Sequence, residues 1–249
     1  ASAPDGYHRV VTGDQKPFRE RILHDRHFSF PVHAPPNQTV TVYLRLQSTD
    51  TLIAPLILFT KSAYEEAQRI ETMFFGMYYG AIIAILFINS FLFFFLRQKA
   101  QIFFVALLAT YGLMELSLNG TGMVFVWGDH PVLAKQIRPF VIGCLAILSM
   151  QLTKAYFGAR SIRLLGWNLE YGVWVMGLAA IAGTFVLPFT WAIRVAMLAI
   201  VAAIPVIIAI GIKELRLQHS AARYFMFGWS GVMVGGALNI LRAFDLLPV

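Results

Sequence analysis

Alternation of polar and apolar positions gives way to continuous apolar runs part-way along the chain. Up to about residue 64 the pattern has the period of strands. Thr39-Val40-Thr41-Val42-Tyr43-Leu44-Arg45-Leu46 is rich in β-branched residues and alternates polar with apolar. His27-Phe28-Ser29-Phe30 alternates likewise before Pro31, and Leu52-Ile53-Ala54-Pro55-Leu56-Ile57-Leu58-Phe59 forms a third run. Pro55 points to an edge or a bulge there. Turn clusters at Gly13-Asp14, Pro35-Pro36-Asn37 and Ser48-Thr49-Asp50 separate the runs. Three or four strands rarely hold a sheet alone. Residues 1–64 are therefore expected to be a partial all-β sandwich whose other half lies upstream.

The second pattern begins at Met73. A membrane-spanning helix needs about 20 largely apolar residues. Six such runs occur, at about 73–96, 102–119, 137–157, 169–187, 190–212 and 222–243. Residues 62–72 are charged helix formers and read as a lead-in to the first span. The predicted fold is an all-α membrane bundle over 65–249. Trp127, Trp167, Trp191 and Tyr111 fall near span ends, where amphipathic aromatics anchor at headgroups. Orientation follows from the cations. Arg97, Lys99, Lys154, Arg160, Arg163, Lys213, Arg216 and Arg223 lie after spans one, three and five, whereas the opposite side holds Lys135, Arg138 and Arg242. The excess of Lys and Arg in cytoplasmic loops puts the first set inside and the N-terminal segment outside. A bacterial inner membrane with a periplasmic N-terminal segment is the expected location.

Composition sharpens this reading. The chain is 58% hydrophobic and 13% charged, against about a quarter charged in soluble domains. Mean hydropathy is +0.66. The net charge of +7 would suggest nucleic acid in a soluble protein. Here the bases sit in short loops between apolar runs, so no nucleic-acid partner is expected and the bilayer is the partner. Cys144 is the one cysteine, which excludes an internal disulfide and a thiolate metal cluster. The chain opens on Ala1 without a signal peptide and reads as a piece of a longer protein.

Candidate chemistry is sparse. There is no HExxH, GxSxG, P-loop or GxGxxG, so no catalytic residue and no cofactor are expected. His24-Asp25-Arg26-His27 has metal-ligand residue types, but Arg26 between them argues against a divalent cation. A polar loop is the preferred reading, and no metal is expected. Tyr111, Glu115 and Asn119 are spaced i, i+4, i+8 and share one face of the second span. A carboxylate within a span is costly and usually finds a partner. Arg138, Arg194 and Arg242 lie at matching depth, and Asn239 shares a face with Arg242. One reading of this set is a polar cavity for a ligand. The preferred one is a structural ion pair, Glu115 with Arg242 or Arg138. Gly76 and Gly80, and Gly231 and Gly235, have GxxxG spacing, which lets helices approach closely. Packing within the chain is preferred over a homodimer seam. Phe91 to Phe95 cover every face of a helix, as lipid-facing residues do.

Together these segments resemble a known family. Thr12-Gly13-Asp14, Pro17-Phe18, Arg21, Phe28-Ser29-Phe30-Pro31 and Tyr43-Leu44-Arg45-Leu46-Gln47-Ser48 resemble the closing half of an extracellular jelly-roll domain. That domain is the one found in bacterial seven-transmembrane receptors with diverse intracellular signalling modules. Phe75-Gly76-Met77-Tyr78-Tyr79-Gly80 resembles the family's first span. Leu116-Ser117-Leu118-Asn119-Gly120 with Trp127 resembles the exit of its second. Ala222-Arg223-Tyr224-Phe225 and Gly236-Ala237-Leu238 through Leu241-Arg242 to Leu246-Leu247-Pro248 resemble its sixth. The resemblance implies a sensory receptor for a small-molecule or carbohydrate ligand. It also implies a seventh span and a cytoplasmic output module, of diguanylate cyclase, histidine kinase or phosphatase type, outside this fragment. The alternative is a transporter or channel for a small solute. Transporters usually carry internal repeats and paired intramembrane charges, and neither is evident. An integral-membrane enzyme would need clustered His, Asp or Glu at one depth.

Overall fold

The computed structural model describes residues 10–14, 16–47, 56–158, 163–164 and 167–243. The chain is helical. A short 3-10 turn at Phe18–Glu20 precedes α1 (Lys61–Leu96), α2 (Lys99–Leu118), a short α3 (Thr121–Phe125), α4 (Pro131–Phe157), α5 (Leu169–Val186), α6 (Phe189–Arg216) and α7 (Ser220–Ala243). Two residue pairs, β1 (Arg163–Leu164) and β2 (Trp167–Asn168), form an antiparallel ladder in the α4–α5 connection.

The strand expectation for the N-terminal segment is not met. Among the described residues between 10 and 60 there is no strand, and residues 38–47 are exposed without regular structure. Period-2 alternation makes a strand only when a partner supplies ladder bonds and a surface for the apolar face. Val40, Val42, Leu44 and Leu46 have neither and remain exposed. In the third run, residues 52–55 lie outside the described residues, and 56–59 are exposed and irregular.

The helices cover the apolar runs. Among the described residues five of them, α1, α2, α4, α5 and α6, are long and apolar enough to cross a membrane. α7 has 24 residues, roughly 36 Å at 1.5 Å per residue, but the side chains of 232–243 lie outside the described residues. Of the six expected spans, five are therefore found by length and hydropathy among the described residues, and the sixth run is covered by the helix α7. α1 starts well before its apolar run. Thr60 caps it, its hydroxyl accepting from the Ala63 N–H at 3.3 Å. Its 36 residues extend roughly 54 Å, beyond a hydrocarbon core of about 30 Å, so the lead-in projects from the membrane as the same helix. α4 begins with Pro131 in its first turn, where the missing N–H costs nothing.

α4 is the hub, packed against α2, α5 and α6, and α5 packs on α6. α1 packs mainly on α2, and α7 on α6. Small residues at helical spacing build the core. Ala192, Ala196, Ala199 and Ala203 of α6, continued by Ile207 and Ile210, are almost wholly buried. They face a layer that includes Ile142, Ala146 and Met150 of α4 and Val173 and Ala180 of α5. Lipid is as apolar as leucine, so helices in a membrane gain by close van der Waals contact, which small residues permit. A Cβ placed on Gly143 would lie 2.9 Å from the Gly177 carbonyl oxygen, and one on Gly177 would lie 3.1 Å from that of Gly143. The close approach is therefore between α4 and α5. A Cβ placed on Gly76, Gly80 or Gly231 of the expected GxxxG pairs would meet nothing among the described residues within 4 Å, and Gly235 lies outside the residues with described side chains. Among the described residues nothing packs closely against Gly76, Gly80 or Gly231. Spacing alone marks a smooth face without saying which helix meets it. Buried hydroxyls of α4 and α5 are satisfied within their own helices: Thr153 Oγ1 donates to the Ser149 carbonyl at 2.8 Å and Thr184 Oγ1 to Ala180 at 3.0 Å.

Candidate functional site

The N-terminal segment folds around a cation. After the Phe18–Glu20 turn, Arg21 is buried, and its Nη1 donates to the carbonyls of Asp25 at 2.7 Å and Arg26 at 3.2 Å. The guanidinium lies 5.1 Å from the Phe18 ring centroid and 4.5 Å from that of Phe28. Aromatic faces attract a desolvated cation by their quadrupole. The loop from Arg21 to Phe28 is thus wrapped on one side chain, which fixes where Asp25, Arg26 and His27 point.

All three point at the bundle. Asp25 is buried; its Oδ1 accepts from the Arg26 N–H at 2.6 Å and its Oδ2 from the Tyr64 hydroxyl at 2.7 Å. Arg26 pairs with Glu71 of α1, and its guanidinium stacks 4.1 Å from the centroid of Phe75, one turn further along. The backbone of Arg26 packs on Gly120, whose φ of +71° falls in the left-handed region; a Cβ there would lie 3.3 Å from the Arg26 carbonyl. The Phe18 N–H donates to the Gly128 carbonyl at 2.8 Å. One loop therefore grips the projecting end of α1 and the α2–α4 connection together.

His27 adds a protonation choice. Its Nε2 lies 3.2 Å from Arg26 Nε and 3.1 Å from Glu71 Oε2. The neutral nitrogen can accept from Arg26, and once protonated it donates to Glu71 instead. Partial burial, then the Arg26 charge, hold His27 below its ordinary value of 6.5. A base whose pKa is lowered by folding stabilises most above the unfolded value. That stability is lost as pH falls through 6.5 towards the lowered value. Thermal unfolding should accordingly show a small loss of stability between neutral pH and about pH 5, because the ring is 60% exposed. In His27→Gln that component should vanish, and an unchanged pH slope would remove His27 as its source.

From the loop a chain of contacts runs into the α1–α2 interface. Phe75 stacks on Tyr79 at 6.1 Å, and Tyr79 stands edge-on to Tyr78 at 5.4 Å. Asn119 Nδ2 donates to Tyr79 Oη at 3.4 Å and to Glu115 Oε2 at 3.2 Å. The Tyr111 hydroxyl lies beside Glu115 and Tyr78. The structure thus brings Tyr111, Glu115 and Asn119 together, with Tyr78 and Tyr79 of α1 as partners that spacing on a single helix could not supply.

Arg138 and Arg194 of the expected set do not join. Arg138 donates to Ser117 Oγ at 3.2 Å and to the Ser117 carbonyl at 3.3 Å. Arg194 stacks on Trp191 at 5.1 Å. Among the described residues Glu115 makes no ion pair: Arg138 turns to Ser117, and Glu115 accepts from the Asn119 amide. The side chains of Asn239 and Arg242, and with them the alternative pair, lie outside the described residues. No group of three metal-ligating side chains occurs among the described residues. His24-Asp25-Arg26-His27 is the gripping loop.

At the opposite end of the bundle two acidic residues tie helices together. Glu170 of α5 accepts from Lys154 Nζ at 2.6 Å and Gln151 Nε2 at 3.1 Å of α4. Glu214 of α6 is almost wholly buried and lies 2.5 Å from Nδ1 of His219, in the turn before α7. Lys154 was legible only as a topological charge.

Comparison with known proteins agrees with this architecture. A family model described as 7TM diverse intracellular signalling matches residues 71–249. One described as 7TMR-DISM extracellular 2 matches residues 2–60. No curated protein and no solved structure matches the chain. The first model covers well over half of the chain, and the junction between the two matches falls where the loop of Arg26 grips α1; the chain belongs to the 7TM diverse intracellular signalling family, membrane receptors with a signalling role.

Proposed function

We propose that the chain is the sensing and transmembrane part of a bacterial inner-membrane receptor. A periplasmic small-molecule or carbohydrate ligand alters the N-terminal domain, and the change passes through the loop of Arg26 to α1 and α2. A cytoplasmic output domain, of diguanylate cyclase or histidine kinase type, reads the resulting helix shift. The observation that carries this reading is the grip of one loop on α1 through Glu71 and Phe75 and on the α2–α4 connection through Gly120. A displacement of the loop must change the relation of α1 to α2 or break these contacts. The excess of Lys and Arg on the far side supports the orientation.

The test is to reconnect the loop covalently. A Cβ on Gly120 would lie 3.6 Å from Arg26 Cβ, within the usual disulfide separation of about 3.5–4.5 Å. In a Cys144→Ser background, the full-length protein with Arg26→Cys and Gly120→Cys should lose ligand-dependent output when reduced. On oxidation it should be held at one fixed output level. Output indifferent to the disulfide would contradict the relay, and solute uptake that depends on it would favour a transporter.

A further inference from the structure

We propose that α1 is the contact surface for a second copy of this chain, in a parallel pair. The side of α1 turned to the rest of the chain carries Tyr64, Glu71, Phe75 and Ile82. About a third of a turn away runs a continuous exposed face of Glu65, Arg69, Thr72, Gly76, Gly80 and Ile83. Its upper part is charged and its lower part small.

The charges choose the occupant. Glu65 and Arg69 have opposite sign and stand four residues apart. In a two-fold parallel pair with the right-handed crossing that small-xxx-small faces adopt, a residue at one position meets its own copy and the residue four further on. Glu65 of each copy then faces Arg69 of the other, twice. The face is thus complementary to itself, which neither lipid nor an apolar span of the same chain would require. Within the chain Arg69 makes no ion pair among the described residues. Glu65 has only Lys61 at 4.0 Å, both side chains largely exposed, so the exchange costs little. Gly76 and Gly80, with nothing within 4 Å, let the two backbones come together below the charges. Glu71 and Phe75 lie on the other flank, so the pair and the grip of Arg26 occupy different sides of one helix.

The experiment is cysteine cross-linking of the full chain in membranes, in a Cys144→Ser background. Thr72→Cys, on the face, should give an oxidised dimer in several-fold higher yield than Ala67→Cys, which is also exposed but on the far side of α1. Arg69→Glu should lower the Thr72→Cys yield several-fold, and the exchange Glu65→Arg with Arg69→Glu should restore it. Restoration separates loss of pairing from loss of folding. Equal yields at positions 72 and 67 would overturn the proposal, as a face covered by lipid or by another span requires. An exchange that fails to restore would overturn it equally.

Discussion

Glu71→Gln is expected to destabilise the junction between the N-terminal segment and the bundle by about 1–3 kcal/mol. Removing one member of a well-buried ion pair costs roughly 3–5 kcal/mol, because the remaining charge is left without compensation. Here the Arg26 side chain is 13% exposed and that of Glu71 36% exposed, so water recovers part of the loss. The residual cost is still large, since Arg26 also lies against Phe75 and cannot turn to solvent without giving up that contact. Arg26→Gln should cost a similar amount. The double variant should cost less than the sum, because each single change already breaks the same pair. Thermal unfolding of the four proteins in one detergent measures this. Strict additivity would mean that the two side chains do not act together. Hydrogen exchange gives a local readout: amides of residues 21–29 should open in Glu71→Gln while those of α5 and α6 keep their protection.

Gly143→Ala should be among the most damaging single-methyl additions in the bundle. Its Cβ would lie 2.9 Å from the Gly177 carbonyl oxygen, 3.0 Å from Ile181 Cγ1 and 3.1 Å from Ala180 Cβ. A side-chain tip can turn aside, but a helix carbonyl cannot, so α4 and α5 must separate. Overpacking of a close-packed core costs typically 1–3 kcal/mol. The loss should reach α6 as well, because all three helices share the layer that includes Ala146, Ala180 and Ala199. Gly172→Ala is the control on α5. Nothing lies within 4 Å of its Cβ position, and replacing a helical glycine by alanine gains roughly 0.5–1 kcal/mol. Opposite signs at the two glycines are expected in detergent melting. Equal effects would mean that the α4–α5 approach is not as close as described.

The long helices were legible because a bilayer imposes a length and a polarity on any segment that crosses it. The run from Met73 to Leu96, the break at Arg97 and Lys99, and the following apolar runs each map onto a helix of matching extent. The strand pattern misled for the reason that local alternation cannot state whether a partner is present. Residues 39–46 have the composition of a strand and no strand conformation.

At the site, sequence placed Tyr111, Glu115 and Asn119 on one face, since helical spacing is a property of a single segment. It could not name Tyr78 and Tyr79 as their partners, or turn Arg138 to Ser117, because those relations depend on how α1, α2 and α4 pack. The loop His24-Asp25-Arg26-His27 looked like little more than a polar connection. Its role depends on Glu71, 45 positions beyond Arg26, and on a buried Arg21 that no local signal marks. The glycines make the same point. Gly76-xxx-Gly80 has the spacing of a packing motif and has nothing among the described residues within 4 Å of a Cβ there, while Gly143 and Gly177, with no such spacing, bring two backbones together. Sequence determined which segments are helical and which faces are smooth or polar, because those properties are local. Only the tertiary structure decided which faces meet, because a meeting belongs to two segments and its energy exists only when both are in place.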